Sequence, residues 1–234
     1  MQLWPCYSAE PCNPVDRAKP PHHICFMPKK PRFITPSAPV SKSAPPSGGG
    51  WLHEVKFDGW RAQLHKCGDE VVIFTRNGQD YTRRFPTIRD SMLSLPARSA
   101  IIDAEIVVCD GEGKPDFEAL MFGKAGHLCA WCFDLLELNG YREQKRALID
   151  RKAMLRQLLI KADDHVLRYS DEFGNAEKLL AVATKQGLEG IVSKKATQQY
   201  VSGKNPGWIK VKTATWREAN RGRWELFQNK ALGN

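Results

Sequence analysis

Apolar and polar positions fall into short runs punctuated by Gly, Asp and Asn, a strand-and-turn rhythm over much of the chain. Arg61 to Lys66 and Val71 to Arg76 read as two strands joined at Cys67-Gly68-Asp69-Glu70, and the β-branched run Ile101 to Cys109 is stopped by Asp110-Gly111. Leu128 to Leu138, Gly190 to Lys195 and Trp208 to Lys212 predict further strands. Phe117 to Phe122 predicts a short helix, and Arg146 to Lys161 a longer one, with Leu148, Met154, Leu155, Leu158 and Leu159 at helical spacing. Asn175 suits the N-cap of a helix over Ala176 to Gln186, which Gly187 stops. Strands grouped with intervening helices, without a regular βαβ alternation, predict an α+β fold built on antiparallel sheets. There is no internal repeat.

The first 50 residues break this rhythm. They hold eleven of the fifteen prolines and end in Ala44-Pro45-Pro46-Ser47-Gly48-Gly49-Gly50, a composition suited to an irregular arm or linker, so the packed domain is expected over 51–214 with a basic tail over 215–234. The 42% hydrophobic content is that of a globular body. The formal charge of +9 concentrates late: from Lys194 onward nine Lys or Arg face two acids, Glu218 and Glu225. Such a surface favours a polyanion, with nucleic acid the first choice and an acidic protein partner the other. Seven scattered cysteines fit a reducing cytosol rather than a disulfide framework. Cys129 and Cys132 have CxxC spacing but lie in an apolar run, which predicts core. Cys6, Cys12, His22, His23 and Cys25 match no firm metal pattern. No signal-peptide or membrane-span pattern occurs, so the expected location is the cytoplasm, with no membrane partner.

Five segments place charge in or beside apolar strands: Glu54/Lys56/Asp58/Arg61, Arg76, Asp103/Glu105, Glu189 and Lys210/Lys212. Buried charge is costly unless the groups meet one another or a ligand. Each segment alone has a bland reading as a solvated strand end, a helix terminus or an exposed edge. Together, one lysine with further cations and separated carboxylates form the parts list of nucleotidyl transfer through a lysine adduct. Lysine amines are protonated at neutral pH, and burial beside other cations favours the neutral, nucleophilic form.

Lys56-Phe57-Asp58-Gly59-Trp60-Arg61 resembles the KxDGxR signature of ATP-dependent DNA ligases, RNA ligases and mRNA capping enzymes. Asp103-Ala104-Glu105, Phe133-Asp134, Glu189-Gly190-Ile191-Val192 and Lys210-Val211-Lys212 follow in the order of that family's later motifs. One KxDG match is weak, whereas five in register are specific. The phrases Gly50-Trp51-Leu52-His53-Glu54, Thr75-Arg76-Asn77-Gly78, Leu167-Arg168-Tyr169-Ser170 and Gly207-Trp208-Ile209-Lys210-Val211-Lys212 are similar to the ligase domain of the bacterial ligase D family, which serves non-homologous end joining. The resemblance covers roughly Pro31 to Glu218. It implies a nucleotidyltransferase (adenylation) domain of antiparallel sheets flanked by helices.

By this resemblance Lys56 attacks the α-phosphate of ATP, Glu54 reads the adenine amino group, and Arg61 holds the ribose and phosphate side. Glu105 accepts from a ribose hydroxyl, Phe133 stacks on adenine and Val192 forms the opposite wall. Glu189 is the implied ligand of Mg2+, Lys210 and Lys212 neutralise the α-phosphate, and Arg76 contacts DNA. The implied substrates are ATP and nicked duplex DNA, the implied partners end-joining proteins such as Ku or a ligase D-type protein, and the implied place the bacterial cytoplasm at the nucleoid. After Lys212, 216–227 reads as a linker too short for a complete oligonucleotide-binding (OB) barrel. That leaves two alternatives open: a DNA-binding scaffold derived from a ligase, and an RNA ligase.

Overall fold

In the structure, a computed structural model, the described residues are 32–222 without 112–114, 124, 161 and 163–164. The cysteine and histidine group at 6–25 and the chain beyond 222 lie outside them. The strands are β1 (Ser37–Ser41), β2 (Trp51–Lys56), β3 (Trp60–Cys67), β4 (Glu70–Thr75), β5 (Ser99–Cys109), β6 (His127–Leu138), β7 (Tyr141–Arg142), β8 (Leu167–Tyr169), β9 (Gly190–Lys195) and β10 (Gly203–Lys212). The helices are α1 (Pro86–Ser94), α2 (Phe117–Phe122), α3 (Leu148–Leu159), α4 (Ala176–Lys185) and α5 (Ala214–Ala219).

The strands form two sheets, one ordered β1-β10-β9-β2, the other β4-β3-β5-β6-β7 with β8 added on β6. Pairing is antiparallel except at β1–β10 and β6–β8. The larger sheet carries the main core, where Leu64, Ile73, Ile102, Ile106 and Leu135 pack beneath Ile88 and Met92 of α1 and Leu155 of α3. The smaller sheet turns Val55, Ile191, Ile209 and Val211 onto Leu179 and Ala183 of α4. Asn175 caps α4 as its sequence predicts, its Oδ1 accepting from the Lys178 backbone N–H at 2.8 Å. Buried Asp134 takes a bidentate grip from Arg151 (2.7 and 2.8 Å), tying α3 to β6.

Packing begins earlier than Trp51, correcting the boundary drawn at residue 50. β1 is an edge strand, where Pro39 is tolerated because an edge position can spare an N–H. It is held by its neighbours' side chains: Ser37 N donates to Tyr200 Oη (2.9 Å), Asn205 Nδ2 donates to Ser37 Oγ (2.8 Å), and Arg61 donates to the Ser37 carbonyl. At the other end α5 falls across the expected domain edge at 214. Thr213 caps it, accepting from Trp216 N at 3.2 Å.

Candidate active site

Strand alternation makes the smaller sheet two-faced. Its apolar face meets α4, so the intervening positions, Glu54 and Lys56 on β2, Val192 and Lys194 on β9, and Trp208, Lys210 and Lys212 on β10, line one cavity. Arg61 and Glu105, paired across β3 and β5, and Phe133 on β6 line it from the other sheet. The cavity holds about 650 Å³. That volume falls in the range of a small-molecule or cofactor site.

At one end, Glu189 stands between two lysines. Lys56 Nζ donates to Oε2 at 2.7 Å, and Lys212 Nζ lies 2.9 Å from Oε1. Gly190 makes this possible: it pairs with Lys56 on one side and Lys212 on the other, and a Cβ there would sit 2.0 Å from the Val211 carbonyl oxygen. The turn after Lys56 is equally tight, since a Cβ on Gly59 would lie 2.2 Å from the Ile106 carbonyl oxygen. Phe57 leaves the cluster to stack on Trp131, with centroids 4.3 Å apart. Burial, then the charges of Lys56 and Lys212, push the Lys210 amine below its usual range. Exposed Arg76, in the turn after β4, adds positive potential at the same rim.

Glu105 lies beside this cluster. Its carboxyl is pushed up to about 7, because desolvation outweighs the opposing Lys56 and Arg61 charges and a hydrogen bond from the Gly59 backbone. Arg61 is more committed than its sequence reading implies. Nε and Nη2 grip fully buried Asp103 at 3.0 and 2.7 Å, Nη1 holds β1, and the guanidinium lies 5.3 Å from the Phe133 ring centroid. Tyr200 Oη also donates to Asp103, at 2.8 Å. Arg61 therefore builds the cavity wall as well as facing into it.

At the opposite end Glu54, 2% exposed, accepts from Lys194 at 2.9 Å on both oxygens and from Ser170 Oγ at 2.8 Å on Oε2. Lys152 Nζ is 3.2 Å from Oε1. Lys194 also stands over the rings of Phe133 (4.4 Å) and Trp208 (4.5 Å), and Val192 adds an aliphatic surface to the same cavity. Burial pushes the Lys194 amine down, against the pull of Glu54.

All ten residues expected at the site line this one cavity. The sequence reading missed Lys194, Lys152 and Trp216. Lys194 was legible as the next inward position after Val192 on β9. Trp216 was not, because only α5 brings its Nε1 to Asp58 (3.0 Å) and its ring over Lys212 Nζ (4.0 Å). Cys129 and Cys132 are buried on β6 in different apolar clusters. Among the described residues no three His, Cys, Asp or Glu gather as a metal cage. Glu189, with Glu105 nearby, offers carboxylate oxygens of the kind that a hard divalent cation takes together with water.

The family model for the ATP dependent DNA ligase domain matches residues 38–212. The multifunctional non-homologous end joining protein LigD of Pseudomonas aeruginosa is 35% identical over 187 residues, covering 78% of this chain and 22% of that protein. The SPbeta prophage-derived DNA ligase-like protein LigB of Bacillus subtilis is 32% identical, covering 76% of this chain and 67% of that one. Probable DNA ligases of Mycobacterium are similar at 32% identity, with 34% of their length spanned. Among solved structures, mycobacterial DNA ligase D complexed with ATP and MES superposes with a TM-score of 0.68 at 25% identity, over 76% of this chain and 60% of that one. The match from β1 to Lys212, the last lysine of the cavity, shows that this chain belongs to the ATP-dependent DNA ligase family, in its adenylation (nucleotidyltransferase) domain.

Proposed function

We propose that this chain joins DNA strands through a lysine-bound AMP. The observation that carries this reading is Lys56 at the cavity rim, 2.7 Å from Glu189, with Lys212 on that carboxylate's other oxygen and Lys210 beside them. The proton that Lys56 must lose already points at Glu189. Lys56 Nζ then bonds to the α-phosphorus of ATP, the bond to the β-phosphate oxygen breaks, and pyrophosphate leaves. Lys210 and Lys212 face the charge that grows on the α-phosphate oxygens. Glu189 would be the residue to hold a magnesium ion, which would supply Lewis-acid neutralisation of the phosphate charge.

In the next step an oxygen of a DNA 5′-phosphate displaces Lys56 from phosphorus, leaving AMP joined to the DNA end. The adjacent 3′-hydroxyl attacks that end, AMP departs and the nick is sealed. Adenine fits the Glu54 end of the cavity by its edge: its amino group is a donor toward Glu54 and its ring N1 an acceptor toward Lys194, whereas guanine presents the reverse pair. Phe133 and Val192 supply the walls, Glu105 accepts from the ribose, and Arg76 meets the DNA backbone at the rim. Nicked duplex DNA is thus the substrate. The likeness to LigD supports end-joining partners such as Ku and work at the bacterial nucleoid.

The test is intact-mass measurement after incubation with ATP and magnesium, followed by a labelled nicked duplex. An AMP adduct mapped to Lys56, absent in Lys56→Ala, with sealing of the nick, supports the whole reading. An adduct without sealing restricts this chain to the adenylation step. A folded protein that takes no adduct yet binds the duplex overturns the reading in favour of a non-catalytic DNA-binding role.

A further inference from the structure

Lys152 has no place in the chemistry above, and its surroundings are unusual for a helix lysine. It sits on α3 with its side chain 1% exposed. Its ammonium donates to the Ser170 carbonyl oxygen at 2.7 Å and is ion-paired with Glu54 Oε1 and Glu172 Oε1, each 3.2 Å away. The ring of Tyr169 covers it at 4.5 Å. One hydrogen bond and two ion-pair contacts thus enclose the ammonium.

Glu54 is likewise contacted on both oxygens. Oε1 faces Lys194 and Lys152, and Oε2 faces Lys194 and Ser170. A carboxylate has about four acceptor directions, so a nucleobase amino group can bond to Glu54 only by displacing a donor already there. Lys194 is the donor on the cavity wall, whereas Lys152 is absent from that wall and borders a separate groove with Met154, Arg156 and Glu172. When Lys194 turns toward the base, Glu54 would be a buried carboxylate without a counter-charge unless a second cation stayed behind.

We propose that Lys152 is a positioning residue of the nucleobase site: it keeps Glu54 charged and fixed while Lys194 is drawn onto the base, and so sustains the preference for adenine over guanine. This rests on the reading of Glu54 and Lys194 as the base-recognising pair. Packing alone does not call for a lysine here, since an apolar side chain of similar length fills a buried site at least as well as an ion. Glu172, whose side chain is 22% exposed, balances the second positive charge and links the cluster to the outer groove.

The experiment is a single-turnover measurement of nucleotide transfer to Lys56, with ATP and with GTP in magnesium, on the full chain and on Lys152→Met, Lys152→Arg, Lys152→Gln and Glu54→Gln. Thermal melting checks that each is folded. Loss of one buried charge-assisted contact predicts for Lys152→Met a half-saturating ATP concentration about tenfold higher and an ATP-over-GTP preference about tenfold smaller. The rate at saturation should change far less, and Lys152→Arg should recover most of the preference. A folded Lys152→Met with the parental preference overturns the proposal, as does a fall in the saturating rate alone, which marks a merely structural lysine. If the Met variant does not fold, Lys152→Gln decides on the same terms. If Glu54→Gln keeps the parental preference, the base reading itself fails and the proposal with it. If Glu54→Gln loses the preference and the Lys152 variants keep it, only the proposal falls.

Discussion

Glu54 and Glu189 are each held between two lysines, at opposite ends of one cavity and in opposite circumstances. Around Glu54, Lys152 and Lys194 are 1% and 3% exposed, and both carboxylate oxygens face a lysine. Around Glu189, Lys56 and Lys212 are 20% and 23% exposed and open toward the cavity. The same pairing of one glutamate with two lysines is therefore closed where water is excluded and open to exchange where it is not. A buried ion group cannot lose a member cheaply, while a half-exposed one can release a lysine to a phosphate and let water or metal take its place.

The sharpest way to break this comparison is to remove each carboxylate in turn. Glu54→Ala leaves Lys152 and Lys194 facing each other in the interior and should cost about 3–5 kcal/mol, lowering the melting midpoint by on the order of 10 °C. Glu189→Ala should leave the midpoint nearly unchanged, because both of its lysines can turn to solvent. Calorimetric scans of the two variants side by side check this, and equal losses would erase the distinction.

The second comparison is catalytic. Glu189→Ala removes the acceptor on Lys56 and should slow formation of the AMP adduct by about 10²–10³, the scale of losing one aligned group that acts at the transition state. Rapid-quench assays at saturating ATP measure it. A rate within a few-fold of the parent would mean that Glu189 only stores Lys56 between turnovers and takes no part in its deprotonation.

Much of this division was legible beforehand. The charged positions of β2 and of the end of β10 alternate with apolar ones, so much of the cavity face could be read from period-two patterning once the strands were placed. The motif order supplied the ten residues that converge there. The remainder depends on long-range approach. Lys152 lies within a helix whose spacing also fits a solvated lysine, and only its seat against Ser170, 18 residues on, buries it. β1 was hidden because proline-rich composition signals an irregular arm, yet an edge strand tolerates the same prolines. α1 was missed because only Ile88, Ser91 and Met92 are buried, too short a stripe to stand out. Trp216 escaped notice because a lone tryptophan after the last motif carries no periodic signal.

The smallest expected effect comes from Glu105, which lies beside the exposed cluster and is itself half-buried. Its carboxyl is raised from 4.5 to about 7. Between those values the folded protein holds a proton that the unfolded chain has given up, so unfolding releases it. The resulting stability is fully present below the unfolded value, declines as pH rises toward 7 and is lost above it; the whole excursion amounts to about 3 kcal/mol at most. Denaturant titrations of the parent and Glu105→Gln from pH 4.5 to 8 isolate it, because the amide cannot titrate and cancels every other group in the difference. That difference should move against the parent with rising pH and level off above 7. Adding ATP should flatten it, since a ribose hydroxyl donating to Glu105 favours the ionised carboxylate and pulls its titration back down. A flat difference without nucleotide would show that Lys56 and Arg61 already hold Glu105 ionised, and the open character of the Glu189 end would then extend to the ribose side of the cavity.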